Sequence, residues 1–115
     1  MTLIDRLNAA SGYLARHWPL SIGEAVMSSA QGDRNPDTMN YYTTEHLRQT
    51  LKRERRGYCL IVWEQDKSLD EVLDLFDRTI LHTTQARRER EDAAKSYAAK
   101  AQKTQARQHV SSRPA

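Results

Sequence analysis

The chain is poor in the residues from which many functional motifs are built. Its 115 residues include one cysteine, four glycines, three prolines and one phenylalanine. A single cysteine excludes an internal disulfide framework and a cysteine-based zinc site. The glycines are too scattered for a phosphate-cradling loop. The four histidines, His17, His46, His82 and His109, include no pair at metal-ligand spacing on one helix. No apolar run approaches the roughly 20 residues of a membrane span. The start of the chain carries Asp5 before any hydrophobic stretch and lacks a signal-peptide core. These absences describe a small soluble cytoplasmic protein without cofactor, metal or enzyme signature.

Charge is present and is patterned. The net charge of +3 combines 18 basic and 15 acidic residues. Residues 43–57 and 82–115 are basic, and residues 58–81 between them are acidic. Blocks of this kind bear on partners and solubility more than on fold.

Hydrophobic spacing predicts a mainly α domain over residues 1–81, followed by a basic, Ala-rich helical tail over 82–115 with a disordered end. Thr2 can cap a first helix, on which Leu3, Leu7, Ala10, Leu14 and Trp18 share a face. Ser21 with Glu24 reads as a capping box for a second helix. Asn35-Pro36-Asp37 reads as a turn, after which Thr43 or Thr44 starts a third helix that runs to Arg56 and ends at Gly57. Ser68 with Glu71 opens another helix, with Leu69, Val72, Leu73, Phe76 and Ile80 inward and Asp70, Glu71, Asp74 and Asp77 outward. From Thr84 to Gln108 there is no large aliphatic residue, and helix propensity is high.

Tyr58-Cys59-Leu60-Ile61-Val62-Trp63 is a short apolar run after a breaker. Periodicity alone does not separate a buried strand from a buried helical segment here, and its length and β-branching favour a strand. A lone strand needs a partner for its backbone groups: the loop at Met39–Tyr42, or the same strand in a second copy, which would make the protein a homo-oligomer such as a dimer. A ribbon-helix-helix dimer fits poorly, because both faces of the run are apolar. Trp18 and Trp63 read as core anchors, or with an exposed Tyr58 as a stacking platform.

Within the third helix, Leu47 and Leu51 mark the inner side. Arg48, Gln49, Lys52, Arg55 and Arg56 fall on one polar face, spanning about 80–200° from Leu47 at 100° per residue. Such a face suits phosphates, and Arg or Gln can also read base edges. Leu20-Ser21-Ile22-Gly23-Glu24-Ala25-Val26, then Leu47-Arg48-Gln49-Thr50-Leu51-Lys52-Arg53 and Gly57-Tyr58, resemble winged helix-turn-helix DNA-binding proteins over residues 3–64. The resemblance implies a third helix in the major groove, a wing after Gly57, and Arg48, Gln49, Lys52 and Arg55 facing DNA. Pro19-Leu20-Ser21-Ile22-Gly23 with Leu47-Arg48 and a basic tail also echoes the FinO/ProQ RNA chaperones over a few residues.

The expectation is a DNA-binding regulator that contacts its ligand through helix 44–56, with Arg87 and Arg88 adding tail charge. The alternatives are a protein-interaction module using the acidic helix 69–81 and the C-terminal helix, or an RNA-binding protein.

Overall fold

The computed structural model describes residues 2–30, 32 and 34–111, the last eight by backbone alone. Of the disordered end expected at 111–115, Ser111 is the last residue of a helix and 112–115 lie outside the described residues. Among the described residues five helices follow in order: α1 (Leu3–His17), α2 (Ile22–Ser28), α3 (Pro36–Arg53), α4 (Leu60–Glu64) and α5 (Leu69–Ser111). Among the described residues there is no strand. No helix among them is long and apolar enough to cross a membrane. The chain divides after Thr83 into two compact units.

In the first unit the helix starts follow from their caps. The Thr2 hydroxyl accepts the Asp5 N–H, and the Asp5 carboxylate accepts the Thr2 N–H, both at 3.1 Å. These bonds to Thr2 hold the Asp5 carboxyl below its ordinary pKa. Ser21 accepts from the Glu24 N–H at 3.1 Å, and Ser68 accepts from the Glu71 N–H at 3.3 Å. The expected face of α1 is buried at Leu7, Ala10 and Leu14, and that of α2 at Ile22, Ala25 and Val26. Leu47 and Leu51 of α3, Trp63 of α4 and Val72, Leu75 and Phe76 of α5 complete one core. Trp18 is exposed, because α1 ends at His17 and the extended Trp18 leaves the helix face.

Three expectations are corrected. The stretch from the expected turn at Asn35-Pro36-Asp37 up to the expected helix start at Thr43 or Thr44 is helical from Pro36: that proline occupies the first turn of α3, where its missing N–H costs nothing and its fixed φ is already helical. The strand predicted at 58–63 is the short helix α4 with its lead-in. The wing implied by the winged-helix resemblance is therefore replaced by α4, and the strand-pairing argument for a dimer falls with it. Trp63 is buried and Leu60 half-buried, whereas Tyr58, Ile61 and Val62 are 76%, 68% and 64% exposed. A five-residue helix turns only one side inward, so a run that looked buried on both faces shows most of its apolar surface to solvent.

The third correction concerns the inward face of α5. Its centre is Val72, Leu75, Phe76 and Thr79, while Leu73 and Ile80 are half-buried flanks. Thr79 donates to the Thr50 hydroxyl at 2.8 Å, and Thr50 donates to the His46 carbonyl at 3.0 Å. This buried hydroxyl chain satisfies two polar side chains between α3 and α5. Arg6, also buried, donates to the Asn40 side-chain carbonyl, joining α1 to α3.

In the second unit, the side chains from Gln85 to Lys103 are exposed. Arg87 donates to Glu91 one turn on, at 3.2 Å.

Candidate nucleic-acid interface

Because α3 starts at Pro36, seven residues of helix precede Thr43. Tyr41 and Tyr42, expected in a loop, are helical and exposed. On the 3.6-residue repeat they share the solvent side with Glu45, Gln49, Lys52 and Arg53. Thr43, Leu47, Thr50 and Leu51 take the inward side.

The C-terminus of α3 carries the densest positive charge. Lys52, Arg53, Arg55 and Arg56 are all exposed. The helix ends at Arg53, not Arg56. The Arg56 N–H bonds the Leu51 carbonyl at 2.9 Å, and the Arg55 N–H bonds the Lys52 carbonyl at 3.1 Å. This is the Schellman arrangement, with Arg55 at the left-handed position. Its φ is +57°. A non-glycine residue pays roughly 1–2 kcal/mol for that conformation. The glycine expected at this cap, Gly57, lies two residues farther on, at φ +145°.

Acidic residues decide which cations are committed. Glu54 is half-buried and holds Arg78 of α5 at 2.8 Å and Arg56 at 3.4 Å. Arg78 also pairs with Asp74. Arg48 forms a two-pronged pair with Glu45, one prong at 2.9 Å. That pair holds the Glu45 carboxyl below its usual pKa and raises the guanidinium. Thus Arg48 and Arg56 have acidic partners, Gln49 is exposed and bonded to Glu45, and Lys52 and Arg55 of the predicted set are exposed. Arg48, Gln49 and Lys52 lie on the second half of α3 and Arg55 and Arg56 in the turn behind it, with Arg48 beside Tyr58 and Ile61 and Arg56 beside Trp63 and Asp74. Arg87 and Arg88 lie in the second unit and are exposed there.

Beside this face is a groove of about 350 Å³, lined by Thr44, Glu45, Arg48, Tyr58, Ile61 and Glu64. Glu64 accepts the Ile22 N–H at the start of α2 at 2.8 Å. Burial pushes its carboxyl above the ordinary glutamate pKa, against the opposing effect of that hydrogen bond. Cys59 is exposed, not the core thiol its apolar neighbours suggested. Among the described residues no group of three His, Cys, Asp or Glu side chains is placed to hold a metal ion.

Sequence reasoning missed Tyr41, Tyr42 and Arg53 as members of this face. The signal was available in Asn35-Pro36-Asp37, which reads equally as a turn and as a helix start with proline in its first turn. No protein-family model matches the chain, and no curated protein or solved structure matches it.

Proposed function

We propose that the protein is a small, non-enzymatic nucleic-acid-binding regulator whose contact element is the C-terminal half of α3 and the turn behind it. Lys52 and Arg55 are its exposed cationic contact groups, and Gln49, bonded to Glu45, is exposed beside them. Arg48 and Arg56 join them on exchanging a carboxylate for a phosphate, and Arg87 and Arg88 of the tail add charge. Arg55 carries this reading. Its backbone closes the cap of α3, its cationic side chain is exposed, and strained positions of this kind cluster at functional sites. Without a wing, the argument for duplex DNA rests on the side chains alone, so DNA and RNA are both served by this surface.

The test is an anisotropy titration of labelled DNA and RNA with the full chain, at several salt concentrations between about 50 and 200 mM. Binding should fall linearly on a log–log plot. Lys52→Ala with Arg53→Ala should flatten the slope by about two. Salt-independent binding, or none, would sink the proposal.

A second reading has one observation behind it. Tyr58, Ile61 and Val62 form an exposed apolar cluster on α4 and its lead-in, which suits a protein partner. The acidic residues Asp70, Glu71, Asp74 and Asp77 of α5 are also exposed. If Ile61→Ser abolishes capture of a cellular partner under nuclease treatment, and the arginine variants do not, the interaction module takes precedence.

A further inference from the structure

We infer that Tyr41 and Tyr42 are a base-stacking platform, and that the ligand of α3 is an unpaired stretch of RNA. The inference rests on the nucleic-acid reading above and adds the chemistry of the strand. The two rings are 63% and 49% exposed. Their centroids are 5.9 Å apart and their planes are inclined at 67°. Rings set edge-on to one another do not stack face to face, so the pair retains aromatic surface for flat ligands. They stand on the first half of α3, and the cations stand on the second half of the same helix side. From Tyr42 to Arg53 is about 16 Å along the axis at 1.5 Å per residue. A strand lying along α3 would place bases on the tyrosines and phosphates on Lys52 and Arg53.

The charge along this path is suited to a polyanion. Its one carboxylate, Glu45, is occupied by Arg48, so the path carries net positive charge. Bases within a duplex are already stacked and are closed to a tyrosine face, whereas loops and ends of RNA present theirs. Gln49, Thr38 and the tyrosine hydroxyls on this side can bond a 2′-hydroxyl, which DNA lacks. A protein partner would gain from the tyrosines but would leave the concentrated cations unmatched, so the charge complementarity favours the strand.

The test uses the full chain and four labelled probes of about 12 nucleotides, within the range of known single-strand sites. They are an unstructured RNA, the DNA of the same sequence, the RNA duplex, and the RNA backbone made abasic at its centre. The expected order has the unstructured RNA tightest. Tyr41→Leu with Tyr42→Leu should weaken that probe by about tenfold or more, leaving duplex binding, the salt slope and the melting temperature unchanged. Lys52→Ala with Arg53→Ala should weaken every probe. If the tyrosine variant binds the RNA as well as the wild type does, or the abasic probe binds equally well, the platform is refuted while salt-dependent binding of all probes upholds the nucleic-acid reading. Equal affinity for the DNA strand overturns the assignment to RNA. If no probe binds, both readings fall.

Discussion

The Glu64 carboxylate accepts the Ile22 backbone N–H at 2.8 Å, so a residue of α4 completes the start of α2 from 42 positions away. Ile22 is a core residue, and its N–H is one of the four that an α-helix leaves without an internal partner. The same carboxylate is partly desolvated, and Glu24 adds like charge.

This geometry separates two substitutions. Glu64→Gln retains an acceptor and removes the charge, whereas Glu64→Ala leaves the Ile22 N–H without its protein acceptor. The alanine variant should lose about 0.5–2 kcal/mol, the range for a lost helix cap. The glutamine variant should lie within about 1 kcal/mol of the wild type at neutral pH. Chemical denaturation of the three proteins measures both.

A pH series refines the point. The folded-state pKa of Glu64 is raised by burial. Its favourable contribution is therefore fully present below the unfolded value, about 4.3, and is lost as pH rises through the higher folded value. Relative to the wild type, Glu64→Gln should gain stability as pH climbs from about 4 to 7. A difference that is flat with pH would show that the Ile22 hydrogen bond fully offsets the burial of the carboxylate.

At the end of α3, Arg55→Gly should raise stability by about 0.5–1 kcal/mol, because the left-handed penalty is relieved while the unfolded chain gains freedom. The same change should weaken nucleic-acid binding. Thermal melts and anisotropy titrations on one preparation would read the two effects with opposite sign. A variant neither stabler nor weaker in binding would show that Arg55 is an ordinary surface residue.

Leu75→Ala should cost about 2–5 kcal/mol, as for other buried leucines. Leu73→Ala, on a half-buried flank, should cost less than half as much in the same urea titration. Equal losses would mean that α5 is rotated from the orientation described.

The Thr50–Thr79 pair should show coupling. Thr79→Val removes a donor, Thr50→Val removes its acceptor, and the double variant leaves neither group seeking the other. Its cost should fall short of the sum of the single costs by about 0.5–1.5 kcal/mol. Strict additivity would mean that the 2.8 Å contact contributes nothing.

What could be read beforehand from the chain follows from how local each cause is. Thr2, Ser21 and Ser68 were recognisable as caps because each acts within three residues of itself. Leu7, Ala10 and Leu14 were recognisable because a single helix face orders them. Thr79 was not, since its place in the core depends on Thr50, 29 residues away. The start of α3 was hidden because Asn35-Pro36-Asp37 serves a turn and a helix start with the same residues. Arg55 was placed on a helical face because the cap was assigned to Gly57, and nothing local marks an arginine as left-handed. Of the candidate site, the cations were legible as charge. The tyrosines were not, because their position depended on where the helix began.

The exposure of α4 has a consequence for the unfolded chain. Tyr58–Trp63 is an uncharged, β-prone hexapeptide without proline or glycine, the composition of amyloid-forming segments. In the native state it is kept helical chiefly by the burial of Trp63 and the half-burial of Leu60. Once those contacts open, its protection passes to the flanking Arg55, Arg56 and Glu64, which act as charged gatekeepers against strand-to-strand association. The refolding yield should therefore fall as protein concentration rises, and neutralising the two arginines should steepen that fall. The cations of the turn behind α3 keep unfolded copies of the chain apart.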